Sequence, residues 1–306
     1  MISRAQIQYI LALKEHQNFQ KAADSCFVTQ PTLSMQIKKA EEALGKPLFD
    51  RNQSPLELTS FGKQLLPFFH QVIDSFNALE IAVAKAQGNY KSEIKIGIIP
   101  TIAVYLVPEL YREWQEKLKS IRLEIIELKS EQILEYLEER KIDMGIMAGP
   151  HFDEHLETQV LYNEEICIYA PNNTEQSISV KALQKMRPWL LSQGNCLRTQ
   201  MINFCNLKST EDNEWSYEGG SLSLLVKMVQ QEGGYTLIPD FYKNMLDFPE
   251  TAYKKIDGYT PARQVIAIFN KRNSKQEDFK QIIREIHYAK GKDSIAPKQS
   301  DILPWK

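Results

Sequence analysis

Apolar positions recur at helical spacing along the first fifth of the chain. Ile7, Ile10, Leu11 and Leu13 form one stripe, and Ala22 and Ala23 sit on a second short helix over Phe19–Ser25. A turn through Val28 and Thr29 leads to Pro31, placed at the start of a third helix where its missing N–H costs nothing. Leu33, Ile37, Ala40 and Leu44 follow at steps of four, three and four, and Gly45 stops the helix. Residues 48–49 and 56–58 flank a polar turn over 50–55 and predict a two-stranded wing. Leu65, Phe68, Val72, Phe76, Leu79, Val83 and Ala86 then predict an amphipathic helix over 61–86, roughly 40 Å long at 1.5 Å per residue. Its stripe approximates a heptad seam and predicts pairing with a second helix. Pro67 marks a kink in it or its true start, and Gly88 and Asn89 close it.

The pattern changes at residue 93. Strands are predicted over 94–99, 123–128 and 144–147, with helices over 104–118 and 132–140 between them. A second block predicts strands at 166–170, 189–191, 215–217 and 235–238, and helices at 180–185, 196–204 and 221–231. A strand over 265–269 and a helix over 279–288 complete the fold. Alternating strands and helices imply parallel sheets covered on both faces. The fold class is therefore α/β, in two successive strand-and-helix blocks, preceded by three short helices and a two-stranded wing. The expected boundaries are 1–58 for the winged head, 59–89 for the linker helix and 90–291 for the regulatory part. Within the last, 90–161 and 267–291 form one lobe and 162–266 the other. Residues 292–306 hold Pro297, Pro304 and no periodicity, and are expected to be mobile.

Composition narrows the function. The 306 residues carry 37 Lys+Arg against 39 Asp+Glu, a net charge of −2, so no global positive field marks a nucleic-acid binder. Over residues 1–60 the balance is 7 basic to 6 acidic. The longest nearly apolar stretch, 96–108, is too short to span a bilayer and is broken by Pro100. The N-terminus has no signal-peptide pattern, so a cytoplasmic protein without membrane contact is expected. Four cysteines make no disulfide scaffold. Cys26 and Cys167 are expected to be inert. His151 and His155 lie in an expected loop and are not read as metal ligands, and no phosphate-binding glycine loop is present.

The third helix carries the candidate recognition surface. With Leu33, Ile37 and Ala40 inward, Thr32, Ser34, Gln36 and Lys39 lie on other faces, and hydroxyls, amides and lysines suit base edges and phosphates. Gln30 and Pro31 open the helix, whose free N–H groups suit a phosphate. Arg51 at the wing tip is placed to reach an adjacent backbone or minor groove. This segment, AADSCFVTQPTLSMQIKKAEEALGKPLFDR, resembles the winged helix-turn-helix of LysR-type transcriptional regulators, and the order of parts along the chain fits as well. The resemblance implies an N-terminal all-α winged helix-turn-helix, two Rossmann-like regulatory lobes of the periplasmic-binding-protein kind, promoter DNA as partner and a homodimer through the linker helices, often a homotetramer.

A narrower resemblance follows. The segments GNCLRTQMINFC (194–205) and IGIIPT (96–101) resemble those of the OxyR-type peroxide sensors, with Cys196 and Cys205 nine apart as in that family. It implies Cys196 as the peroxidatic thiol, Cys205 as its resolving partner, and Thr101, Ser130, Asn195 and Arg263 around the peroxide. A glutaredoxin- or thioredoxin-type reductant would reset the pair, and no cofactor is implied. The residues agree: Cys196 falls in the first turn of a helix, where the dipole and nearby Arg198 are expected to lower its pKa below the usual value of about 8.5. Two positions depart from the family pattern: Asn195 replaces its usual histidine and Thr199 its frequent aspartate. If 196–205 is one helix, the two cysteines lie about 13 Å apart on opposite faces, so joining them requires unwinding. Two alternatives remain open at this point. One is a LysR-type regulator answering a small metabolite bound between the lobes; the other is a thiol peroxidase, against which the DNA-binding head argues.

Overall fold

The computed structural model describes residues 1–88, 90–205, 207, 220–258, 260–291, 293–298 and 301–303. The chain forms two compact units, Met1–Tyr90 with Arg272–Lys275, and Lys91–Lys271 with Gln276–Lys306.

The first unit begins with α1 (Arg4–His16), α2 (Phe19–Ser25) and α3 (Gln30–Leu44). Each starts on a side chain that satisfies an orphan N–H: Ser3 in a reciprocal box with Gln6, Asn18, and Thr29. Gly45, at φ +80°, ends α3 as its glycine cap. Strands β1 (Phe49–Asp50) and β2 (Glu57–Leu58) pair antiparallel as the wing. Ile7, Ile10, Leu13, Leu33, Ile37 and Leu48 are fully or almost fully buried among these elements. Glu41 is the polar bracket of this core. Its Oε1 accepts the amides of Leu48 and Phe49 at 2.8 and 3.3 Å, and its Oε2 pairs with Arg51 at 3.1 Å. One carboxylate on α3 therefore fixes the wing.

Helix α4 (Ser60–Ala86) starts at Ser60 on the Thr59 cap, so Pro67 lies inside it and is not its start. Phe69 is buried and Phe61, Leu65 and Ile73 pack beside it on the same core. Phe68, Val72, Phe76, Leu79 and Val83 are exposed, at steps of four, four, three and four. The helix thus has one apolar stripe covered by its own unit and a second one facing outward.

The second unit is built on an eight-stranded mixed sheet. In chain order its elements are β3 (Ser92–Ile98), α5 (Pro100–Lys117), β4 (Ile121–Glu127), α6 (Ser130–Glu138), β5 (Met144–Gly149) and β6 (Leu156–Tyr169). There follow β7 (Ser177–Ile178), α7 (Val180–Leu183), α8 (Cys196–Cys205), α9 (Leu222–Glu232) and β8 (Thr236–Pro239). The last are α10 (Asp240–Lys243), β9 (Tyr253–Ile256), β10 (Ala262–Asn270) and α11 (Gln276–Lys290). The strand order is β4-β3-β5-β10-β6-β9-β7, with β8 also on β6. The expected wholly parallel sheets are thus corrected. β4, β3 and β5 are parallel, as are β7 and β9, but β10 is antiparallel to both β5 and β6. β6 and β10 run side by side from Asn270 opposite Leu156 to Ala262 opposite Glu165, with a bulge between Val265 and Ile266. This register sets Arg263 directly across from Glu164.

Three further expectations change. β6 starts ten residues before its predicted start at 166, because Thr158, Gln159, Asn163 and Glu164 interrupt the apolar pattern while still belonging to the ladder. Residues 189–191 form no strand; the only bridge there joins Pro188 to Tyr235. The tail docks on the sheet: Ile302 bridges Ala262, the Leu303 amide donates to the Ala262 carbonyl at 2.8 Å, and the Leu303 side chain is buried. A two-residue bridge has no periodicity, so the pattern gave no sign of it. The strand predicted over 215–217 lies outside the described residues. Among those described, no helix is long and apolar enough to cross a membrane.

Removing the Glu41 bracket leaves two buried amides without an acceptor. Glu41→Ala is expected to destabilise the winged head by about 1–3 kcal/mol, read as a lower urea midpoint of that unit in the full chain. An unchanged midpoint would contradict the bracket.

Candidate functional site

Gly194, at φ +84°, turns the chain between residue 192 and α8. In this turn the Asn195 amide donates to the Ser192 carbonyl and hydroxyl, both at 2.9 Å. Asn195 is therefore pinned to the loop by its NH2 group. Cys196 is the first residue of α8 and is 3% exposed.

Three elements converge on this thiol. Ser130, at the start of α6, is buried; its hydroxyl lies beside the Cys196 sulfur and makes no hydrogen bond of standard geometry. Arg263 on β10 and Thr101 on α5 are joined: Nη1 donates to the Thr101 hydroxyl and Nη2 to its carbonyl, each at 2.9 Å. The structure thus brings Thr101, Ser130 and Arg263 to Cys196, with Asn195 next to it in the chain.

Burial pushes the Cys196 thiol above its ordinary value, and Arg263, Ser130 and the backbone of Leu197 and Ala148 pull in the opposite direction without prevailing. This differs from the expected lowering. A buried sulfur loses the solvation of its anion, and the helix terminus does not replace it. The cation acting on it also differs. Arg198 turns its Nη1 to the Leu191 carbonyl at 2.9 Å, so it holds the loop, and Arg263 supplies the charge.

Behind Arg263 lies a buried network that the sequence reading missed. Its Nε donates to Glu164 Oε1 at 2.6 Å, and both side chains have no exposed surface. The Tyr105 hydroxyl donates to the same oxygen at 2.7 Å and lies 2.8 Å from the Tyr162 hydroxyl. Lys290, paired with Glu109, sits 4.2 Å from the Phe241 ring centre and 5.4 Å from that of Tyr105. Burial raises the Glu164 carboxyl, with Arg263 and Tyr105 opposing. One signal was available: Tyr162, Glu164, Ile166 and Ile168 alternate on one strand face, so the carboxylate had to point inward with the apolar residues.

Cys205 closes the same helix and has no exposed surface. Its carbonyl accepts Gln184 Nε2 at 3.2 Å, and the buried Tyr235 hydroxyl faces its sulfur. Burial pushes the thiol up to about 11, with Tyr235 opposing. All four cysteines are free thiols. α8 is continuous from one sulfur to the other, so the two Cα atoms are about 13 Å apart and half a turn out of phase. Gln200, between them, donates to the Leu303 carbonyl of the tail at 2.9 Å. Cys167 donates weakly to the Ile238 carbonyl, and burial raises its thiol as it does that of Cys26.

On the winged head, Pro31 and Lys39 are exposed, while Gln30, Thr32, Ser34 and Gln36 are half-buried. Gln36 accepts from Gln6 at 3.1 Å, and the Thr32 and Thr29 hydroxyls are 2.8 Å apart. Arg51 is tied to Glu41 rather than extended from the wing tip. Met35 and Lys38 occupy the middle of the outward face and were not among the expected contacts. Their angular position, opposite Leu33 and Ile37, was the signal for them. Lys38, Lys46 and Arg51 line a shallow groove beside the wing, together with Glu41 and Glu42.

The chain thus carries a helix-turn-helix head with a wing ahead of an α/β unit built on one mixed sheet. Residues 5–63 match the bacterial regulatory helix-turn-helix of the lysR family, and residues 87–289 match the LysR substrate binding domain. The chain belongs to the LysR family. Among its relatives, the regulator EstR of Acinetobacter baylyi is 29% identical over 286 residues, 92% of this chain and 95% of that protein. The hydrogen peroxide-inducible genes activator of Dickeya chrysanthemi is 32% identical over 238 residues, 76% of this chain and 77% of that one. A full-length OxyR variant from Pseudomonas aeruginosa shares the fold with a TM-score of 0.75 at 23% identity, covering 94% and 95% of the two chains. Both resemblances read from the sequence therefore hold, to LysR regulators and, within them, to OxyR-type proteins.

Well below pH 9, a thiol held at about 11 carries about 100-fold less thiolate than one of 9.0. Alkylation of Cys205 by iodoacetamide between pH 7 and 8 is expected to be about 100-fold slower in the folded, reduced chain than in urea. Equal rates would contradict the described burial.

Proposed function

We propose that this chain is a DNA-binding transcription regulator that senses hydrogen peroxide through Cys196 and Cys205. The observation that carries the reading is the enclosure of Cys196 by Ser130 and Arg263, with a second thiol at the far end of the same helix. In the reaction, the Cys196 thiolate attacks one peroxide oxygen. The O–O bond breaks, the sulfur becomes a sulfenic acid, and hydroxide leaves with the electron pair. Arg263 and the unpaired Ser130 hydroxyl are the donors for that developing oxyanion. The hydroxide takes up the thiol's proton as water. Cys205, as a thiol, then displaces a second water from the sulfenic acid and forms the disulfide. Two thiols and one peroxide thus give one disulfide and two waters.

The second step needs Cα atoms about 4.4–6.8 Å apart, so α8 must unwind. Leu197, Met201 and Phe204 would leave their reduced positions, and the lobe that holds them would repack. Pro31, Met35, Lys38 and Lys39 are the residues best exposed to read promoter DNA, with Lys46 and the flank residues Gln30, Thr32, Ser34 and Gln36 beside them. The outward stripe of α4 supports a homodimer, and repacking of the sensing unit would alter its higher assembly on DNA. A thiol reductant of the glutaredoxin or thioredoxin type would reverse the disulfide in the cytoplasm. Asn195 does not titrate near neutral pH, so peroxide proton transfer would fall to the thiol and solvent.

Peptide mapping after stoichiometric peroxide tests the reading. Wild type should give the Cys196–Cys205 disulfide, Cys205→Ala a persistent sulfenic acid on Cys196, and Cys196→Ser no peroxide response on promoter DNA. A Cys196→Ser protein that still switches returns the metabolite-responsive reading. For the stripe, Leu79→Glu is expected to shift the chain to monomer in sedimentation and to weaken binding to a two-half-site promoter by at least about tenfold, since charges are excluded from heptad seams. A dimer of unchanged affinity would overturn that assignment.

A further inference from the structure

Arg263 has five N–H donors. One goes to Glu164 and two to Thr101, which leaves one on each terminal nitrogen for the pocket of Cys196. On its other side, Glu164 is only half satisfied. Oε1 accepts from Arg263 and Tyr105, while Oε2 is buried and has no hydrogen-bond partner. A buried carboxylate with an unquenched oxygen depends on its guanidinium for most of its stabilisation. Cys196, 3% exposed, has the same need once it ionises. Glu164 and an ionised Cys196 therefore draw on one cation, and at rest the pair of Arg263 and Glu164 is already neutral.

We propose that Glu164 is a positioning residue that competes with the Cys196 thiolate for Arg263 and thereby limits the sensitivity of this thiol to peroxide. Ionising Cys196 adds a second negative charge to a region with no solvent, and Glu164 opposes it. The same carboxylate holds the guanidinium plane in place for Thr101 and the pocket. The inference rests on the reading of Cys196 as the peroxide-reactive thiol. The titratable and charged groups facing this cluster are Tyr105 and Glu109 from α5, Tyr162 from β6 and Lys290 from α11. Ser130 from α6 faces the sulfur.

Two variants of the full chain test it, each checked for fold by circular dichroism. Glu164→Gln keeps the shape and the Oε1 acceptor but removes the charge, leaving the thiolate as the counter-ion of Arg263. Tyr105→Phe removes a donor from Glu164 and leaves its charge bearing more fully on Arg263. The ionisation midpoint of Cys196, from alkylation rate against pH, is read without peroxide. It should fall by about one unit in Glu164→Gln, a tenfold gain in thiolate at neutral pH, and rise in Tyr105→Phe. Sulfenylation rates at pH 7 should move in the same order. An unchanged or raised midpoint in Glu164→Gln, or shifts of the same sign in both variants, overturns the proposal. If Glu164→Gln does not fold, a midpoint in Tyr105→Phe that fails to rise overturns it. A wild-type Cys196 that peroxide does not oxidise defeats the underlying reading instead, whatever the midpoints.

Discussion

A wound helix cannot bring its two ends together. α8 places Cys196 at its first position and Cys205 at its last, and each is sealed into a different environment. Nine residues of rise and two and a half turns separate the sulfurs. In the proposed mechanism that separation makes bond formation and local refolding one event. The helix is held at more than its ends: Gln200 reaches the docked tail, and Leu197 and Met201 are buried.

The second governing feature is charge in a solvent-free region. Cys196 is buried, so its ionisation is opposed by lost solvation and favoured chiefly by Arg263, with Ser130 and the backbone of Leu197 and Ala148. Each pKa unit corresponds to about 1.4 kcal/mol, the scale of one good hydrogen bond. The antiparallel register of β6 and β10 sets Glu164, the proposed competitor, opposite Arg263. Fold and reactivity meet at that one cross-strand pair.

Much of this was legible in the sequence. The helical steps through Leu33, Ile37 and Ala40 and through Leu65 to Val83 gave α3 and α4, and the glycine before Asn195 and Cys196 located the start of α8. Thr101, Ser130 and Arg263 came from resemblance; the pattern added only that Thr101 and Ser130 each follow a strand and so share one end of the sheet, and it gave nothing for Arg263. What stayed hidden has physical causes. A long strand carrying Thr158, Asn163 and Glu164 does not read as apolar, so β6 was shortened. Arg198 is adjacent to Cys196 in sequence, but its helical position turns it to the Leu191 carbonyl. The sign of the Cys196 shift depends on burial, which a linear pattern does not report. Likewise Met35 was passed over because polar types were sought, while geometry selects whatever faces outward.

The central claim is that the disulfide and the intact helix exclude each other. Amide hydrogen exchange across residues 196–205, before and after peroxide, tests it most directly. The account predicts that protection across this segment is lost as the disulfide forms and returns on reduction. A fully formed disulfide with the helical protection undiminished would contradict it.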